Sequence, residues 1–294
     1  MKSMMKRNTF REIKKSFGRY FAILAIIALG VAFFSGLKIT QSVMVHSADV
    51  YLKDLQFYDY RLVSTLGFTE ENVEALAEKE DVRAAEGAIS AEVLYKDAGE
   101  NERVIKMHSI TEKVNKLKLI AGEMPQSADE CVVDSALFSE DAIGSKLVLS
   151  ENNTTDDLDK FAYKEYTITG LVQSPCYIQF ERGNTSIGNG RISGFAYILK
   201  DGFAVDYDTE IYIKFDEDYD IYSDEYDSYM DAKEADWEAY TKEQADIRYE
   251  KIVKDAQDEL DEKKEELEEK RAEAEAELES AKQQLTDGET EISD

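Results

Sequence analysis

Apolar positions along this chain fall into three patterns, one after another. Residues 20–37, YFAILAIIALGVAFFSGL, form an unbroken run without a charge. At about 1.5 Å per residue a helix of this run spans about 27 Å, close to the roughly 30 Å hydrocarbon core of a bilayer. Its Leu, Ile, Val and Phe residues favour insertion by about 3–6 kcal/mol. From residue 51 to about 215 the pattern shortens into alternating stretches. From about residue 226 it lengthens again, with apolar residues recurring every seven.

The middle stretch predicts short strands at 60–65, 89–95, 104–110, 146–149, 166–172, 195–199 and 210–215. A short buried strand at 131–133 is expected to lead into a helix. Thr69 is placed to cap a helix over 70–80, whose first turn is acidic, as the helix dipole favours. Asp97-Ala98-Gly99 separates two β-rich runs as a hairpin turn would. Residues 38–50 read as a continuation of the membrane helix. Mixed short elements of this kind indicate an α+β domain.

In residues 226–294 there is no proline, and Gly288 is the only glycine. Val253, Leu260, Leu267, Ala274 and Ala281 repeat at seven. A second seam opens at Ala256, is interrupted by Lys263 and Lys270, and resumes one position later at Leu278 and Leu285. The drift fits a coiled coil with a stutter, a helix in an antiparallel hairpin, or a solvated single helix held by Glu–Lys pairs. A helix of about 69 residues would reach roughly 100 Å. The charged pattern still runs at Ile292-Ser293-Asp294, so the chain reads as the N-terminal portion of something longer.

Charge sharpens the picture. The net charge is −28, but residues 1–19 hold seven bases and one acid. A basic flank before the span predicts a cytoplasmic N-terminus, with the rest exported at the cell membrane. The strongly acidic remainder repels nucleic acid, which is excluded as a partner. A cleaved signal peptide is the competing reading, with Val45-His46-Ser47 as cleavage site, but the apolar run exceeds the usual length. Phe10, Ile13 and Phe17 form a stripe opposite basic residues, as a short helix in the headgroup layer would. Ala28, Ala32 and Gly36 lie in one row of the span. Small residues there let another membrane helix approach closely.

Candidate chemistry is sparse. Cys131 and Cys176 are either a pair in an oxidising compartment or two ordinary thiols. His46 and His108 stand in unrelated settings, which argues against a catalytic triad or zinc site. No P-loop occurs. Asp216-x-Asp218-x-Asp220 begins like a calcium loop, but Ile221 and Asp227 replace the needed Gly and Glu, so an acidic linker is expected. The glycine-rich run 182–190 reads as a surface loop. No cofactor, metal or catalytic residue is assigned, and the chain reads as no enzyme.

Residues 10–37, FREIKKSFGRYFAILAIIALGVAFFSGL, resemble the opening of FtsX-like and MacB-like ABC transporter permeases. Residues 119–175 resemble that family's extracytoplasmic core, in the order G-x-x-P, E-x-V-V, I-G-x-x-L, Y-x-I-x-G-x-V. Residues 174–198 and 209–227 look like a large-permease subgroup with a coiled-coil insertion. The resemblance implies four parts: a cytoplasmic elbow helix (1–19), a membrane helix (20–37), an extracytoplasmic MacB-like α+β domain (38–225) and a coil (226–294). It also implies a cytoplasmic ABC ATPase as partner, pairing with other permease helices or a second permease copy, and an extracytoplasmic partner for the coil. The role expected is that of a permease subunit, or its N-terminal part, in an export or mechanotransmission complex. The alternative is a single-span surface protein using its coil as spacer, adhesin or sensor. Hydrophobic spans encoded past Asp294 would separate the two.

Overall fold

The computed structural model describes residues 2–97 and 99–293, with side chains for 4–97 and 99–282. Ala98, Asp294 and the Leu285 side chain therefore lie outside the described residues, and so do these parts of the expected turn, chain end and second seam. The chain divides into two compact units, residues 1–228 and 229–294.

Helix α1 spans Lys2–Lys15 and α2 spans Phe17–Asp54. The break falls at Ser16. It separates Phe17 from Phe10 and Ile13, so the expected single stripe is split between two helices. Phe17 stacks instead on Phe21 of its own helix, ring centroids 5.9 Å apart. α2 is long and apolar enough to cross a membrane. It continues 17 residues past Leu37, about 25 Å, without interruption.

Strand β1 (Tyr60–Phe68) is followed by α3 (Glu70–Ala77) and β2 (Val82–Ala88). Thr69 caps α3 reciprocally with Asn72, whose Oδ1 accepts from the Thr69 N–H at 3.0 Å. α3 stops three residues before the expected end, because the chain must turn over 78–81 to bring Val82 opposite Phe215. Then come β3 (Ser90–Lys96), β4 (Glu102–Ser109), β5 (Lys118–Gly122), β6 (Glu130–Asp134), β7 (Lys146–Leu149), α4 (Thr155–Leu158), β8 (Glu165–Gln173), β9 (Ile192–Ile198), β10 (Asp208–Phe215) and α5 (Asp224–Ser293). β2 and β5 were not expected. The helix expected after residues 131–133 is absent: a short 3-10 turn at Glu140–Ala142 stands there, and Gly144 at φ 88° ends it.

The class is α+β, and its strands make two sheets. β1, β10 and β2 form a three-stranded antiparallel sheet. The other seven run β5-β8-β6-β9-β4-β3-β7, and β7 pairs back onto β8. Thr167 of β8 lies between Glu130 on one edge and Lys146 on the other. Six strands therefore close into a barrel, with β5 added outside the closure.

Alternation fills its interior. Ala91, Val93, Tyr95, Ile105, Met107, Cys131, Val133, Leu147, Leu149, Tyr166, Ile168, Ala196 and Ile198 share one buried cluster, taken from every second position of six strands. Burying each larger aliphatic is worth about 1.5–3 kcal/mol. Cys131 belongs to this core, and both cysteines are free thiols. Gly122 and Gly170, two glycines of the quoted motifs, face each other where β5 meets β8. A Cβ on Gly170 would lie 2.7 Å from the Glu123 carbonyl oxygen, and Gly122 has φ 79°. Only glycine permits this approach.

In the second unit α5 presents Val253, Leu260 and Leu267 at 49%, 50% and 68% exposure, with Ala274 and Ala281 also exposed. Its described charges pair along the helix, as in Lys270–Glu266 at 2.7 Å and Arg271–Glu275 at 3.3 Å.

Candidate functional site

Outside the barrel, hydrogen bonds and ion pairs gather at the joint where α2 enters the globular domain. α2 ends by local rules. The Phe57 N–H donates to the Leu52 carbonyl at 2.9 Å and the Gln56 N–H to the Lys53 carbonyl at 3.0 Å. Gln56 takes φ 52°. This is a Schellman closure with glutamine where glycine is usual, and Gln56 Nε2 adds a bond to the Lys53 carbonyl at 2.8 Å.

The end of the helix is then tied to distant segments. The Leu55 and Gln56 carbonyls accept from the Lys116 and Asn115 N–H groups at 2.8 and 2.9 Å. Asn115 Oδ1 accepts from the Tyr58 N–H at 3.1 Å. Buried Asp49 accepts from the Ile221 N–H at 2.9 Å. Lys53 Nζ bridges Asp49 at 3.0 Å and Asp220 at 2.6 Å. Asp59 joins three elements: it pairs with Lys214 at 3.0 Å, accepts from the Phe215 N–H at 2.9 Å, and accepts from the Tyr226 hydroxyl at 3.3 Å. The segment that leaves α2, the end of the small sheet's central strand β10 and the first turn of α5 thus meet at one carboxylate.

Glu210 fastens the small sheet to the barrel. Its carboxylate accepts from Arg61 of β1 at 2.6 and 3.0 Å and from Ser90 of β3 at 2.6 Å, and also from the Tyr212 hydroxyl. Burial alone would raise its pKa. The hydrogen bonds from Ser90, Tyr212 and Arg61 and the Arg61 charge outweigh burial and hold it down at about 2. His108 accepts or donates at 2.6 Å to the Tyr177 hydroxyl and stacks on Tyr197. Burial, helped by the Lys106 charge, lowers its pKa to about 3, so it stays neutral. Arg182, expected in a surface loop, forms a buried pair with Asp134 at 2.7 Å and donates to the Tyr177 carbonyl at 3.0 Å, which pins the start of the glycine-rich run.

The acidic linker is not simply solvated. Arg83 pairs with Asp218 at 3.0 Å and donates to the Asp216 carbonyl, and Asp220 pairs with Lys53. Among the described residues no cluster of His, Cys, Asp and Glu is arranged to hold a metal.

Ala28, Ala32 and Gly36 lie exposed along α2, Phe10 and Ile13 lie on α1, and the five seam residues lie on α5. Sequence reasoning missed Asp49, Lys53, Gln56, Asp59, Asn115 and Glu210. Only the Asp49–Lys53 spacing of four carried a local signal. Gln56–Lys53 and Tyr212–Glu210 are also close in the chain, but the bonds that tie the end of α2 to other segments run from Tyr58–Asn115, 57 residues apart, to Asp49–Ile221, 172 apart.

No family model matches the sequence, and no curated protein matches it. Among solved structures, the chain is similar to the extracellular domain of the noncanonic ABC-type transporter YknZ from Gram-positive bacteria. The identity is 12%, over 52% of this chain and 76% of that one, at a TM-score of 0.35. It is also similar to the periplasmic region of MacB from Actinobacillus actinomycetemcomitans. Here the identity is 14%, over 54% of this chain and 69% of that one, at a TM-score of 0.34.

Proposed function

We propose that this chain is a permease subunit, or the N-terminal part of one, in an ABC-type export or mechanotransmission complex, and that its work is mechanical. α1 lies on the cytoplasmic face near a partner ATPase, residues 20–37 span the membrane, and the barrel domain and α5 stand outside the cell. The observation that carries this reading is the uninterrupted helix α2. It passes through the apolar span and ends in a joint where the Asp49 carboxylate accepts from Ile221 and the Asp59 carboxylate bonds to Lys214, Phe215 and Tyr226. A helix transmits displacement along its axis, and a joint bonded in this way passes it on to β10 and to the first turn of α5. A simple anchor has no use for such a connection.

Two further assignments complete the proposal. Ala28, Ala32 and Gly36 pack on a neighbouring membrane helix, from the same permease or a second copy. The seam of Val253, Leu260, Leu267, Ala274 and Ala281 engages an extracytoplasmic partner. ATP chemistry belongs to the partner subunit, and no side chain of this chain is assigned to catalysis.

The test uses the full-length protein purified in mild detergent. An ATPase subunit copurifies, and ATP changes amide exchange in the linker 216–222. The double variant D49N/K53A keeps the ATPase bound and loses the ATP-dependent change in the linker. Repeated purification without an ATPase overturns the proposal.

A further inference from the structure

β5 is the barrel's added strand, paired with β8 alone and leaving its other edge open. All of its residues but Ala121 are exposed. A bulge takes Ile120 out of register between Leu119 and Ala121. Leu119 and Ile120 stand 41% and 47% exposed, two adjacent apolar side chains on an edge that faces water.

Charge around this edge runs against the rest of the chain. Residues 38–228 hold 38 acids and 18 bases. Residues 103–122 invert that balance, with five bases and one acid, Glu112. Lys113, Lys116 and Lys118 are exposed. None of the three makes an ion pair among the described residues, so their charges are free to meet a partner. Glu112 and Glu123 bound the patch at its two ends.

An open strand edge is a template for another strand. Lysines beside it repel a second copy of the same strand and attract an acidic one. We infer that β5 is a docking edge for an extended, acidic segment of a partner polypeptide, which adds to the sheet as a strand, with Lys113, Lys116 and Lys118 meeting its carboxylates and Leu119 and Ile120 its apolar side chains. The position gives the docking a consequence. Lys116 N–H is bonded to the Leu55 carbonyl at the end of α2, so an occupant on β5 touches the segment that holds the joint.

The inference does not depend on the ATPase partner, and its test does not use one. A fluorescent decapeptide of alternating Glu and Val is titrated into the full chain in nonionic detergent. A Lys-Val decapeptide serves as control. The Glu-Val peptide binds, salt weakens it, and K113E/K116E/K118E weakens it at least tenfold. L119N/I120N weakens it at least threefold. These positions are exposed, and unchanged near-ultraviolet circular dichroism confirms that each variant is folded. Amide exchange slows at residues 118–122 when the peptide is bound. The inference is overturned by any of four results: affinity unchanged on charge reversal, equal binding of the Lys-Val peptide, binding without protection of 118–122, or peptide bound as a helix. Self-association of the chain through β5 likewise overturns it.

Discussion

Asp59–Lys214 at the joint and Asp261–Lys264 on α5 are both carboxylate–ammonium pairs with an N–O distance of 3.0 Å. Their surroundings differ. The joint pair keeps 7% and 11% of its side-chain surface in water, the helix pair 58% and 60%. Geometry alone would rank them equal. Removing a partner from the first leaves a charge stranded in a poorly polarisable interior, while water and salt take over at once in the second. The same chemical vocabulary therefore builds a buried cross-link in one unit and a solvated surface in the other.

The largest test of that contrast is D59A. It strands Lys214 and removes the acceptor for the Phe215 N–H, which should cost about 3–5 kcal/mol in denaturant unfolding followed by tyrosine circular dichroism. D134A, which strands Arg182, belongs to the same class. A cost near zero for both would erase the distinction between the regions.

Acid provides the next test. Glu210 has its folded pKa depressed from 4.5 to about 2. A depressed carboxylate contributes stability that is fully present above its unfolded pKa and is lost as pH falls through the folded one. Between about pH 4.5 and pH 2 the protein should lose about 3 kcal/mol on this account. E210Q should lose stability at neutral pH and show a correspondingly flatter acid limb. An acid limb identical to that of the parent would mean that the network around Glu210 does not favour its ionised form.

A smaller effect sits at the end of α2. Gln56 holds a left-handed conformation that disfavours side-chained residues by about 1–2 kcal/mol. Q56G should therefore be neutral or raise the melting temperature, although it loses the side-chain bond to Lys53. Q56V should lower it, because a β-branched residue tolerates that conformation least. The smallest effect is expected on α5: K270A, which breaks an exposed pair with Glu266, should leave the melting temperature unmoved and far-ultraviolet helicity nearly so.

The expected elements fared according to how local their signals were. Lys146–Leu149 coincides with its strand, and Thr69 caps its helix through a partner three residues away. β2 was illegible because Val82–Ala88 is mostly small residues without a clear alternation, and its place is set by pairing with β10. β5 was illegible because an exposed edge strand buries no alternate face. The helix expected after β6 failed for a different reason. Leu137, Phe138 and Ala142 have helix-like spacing, but they pack against the barrel core, and their chain reaches β7 through turns. The candidate site was the least legible part, since the bonds that tie the end of α2 to other segments depend on residues far away in the chain.

Sequence by itself determined the membrane-type span, the basic flank before it, the sevenfold repeat of the last segment and the α+β character between them. Each of these follows from residues within a turn or two of one another, where periodicity and charge act directly. Only the tertiary structure decided that six strands close on themselves, that Gly122 meets Gly170, and that Asp49, Asp59 and Glu210 converge on partners from β1, β3, β10 and the linker. Such choices are made by which surfaces exclude water together, and no local pattern encodes the partner.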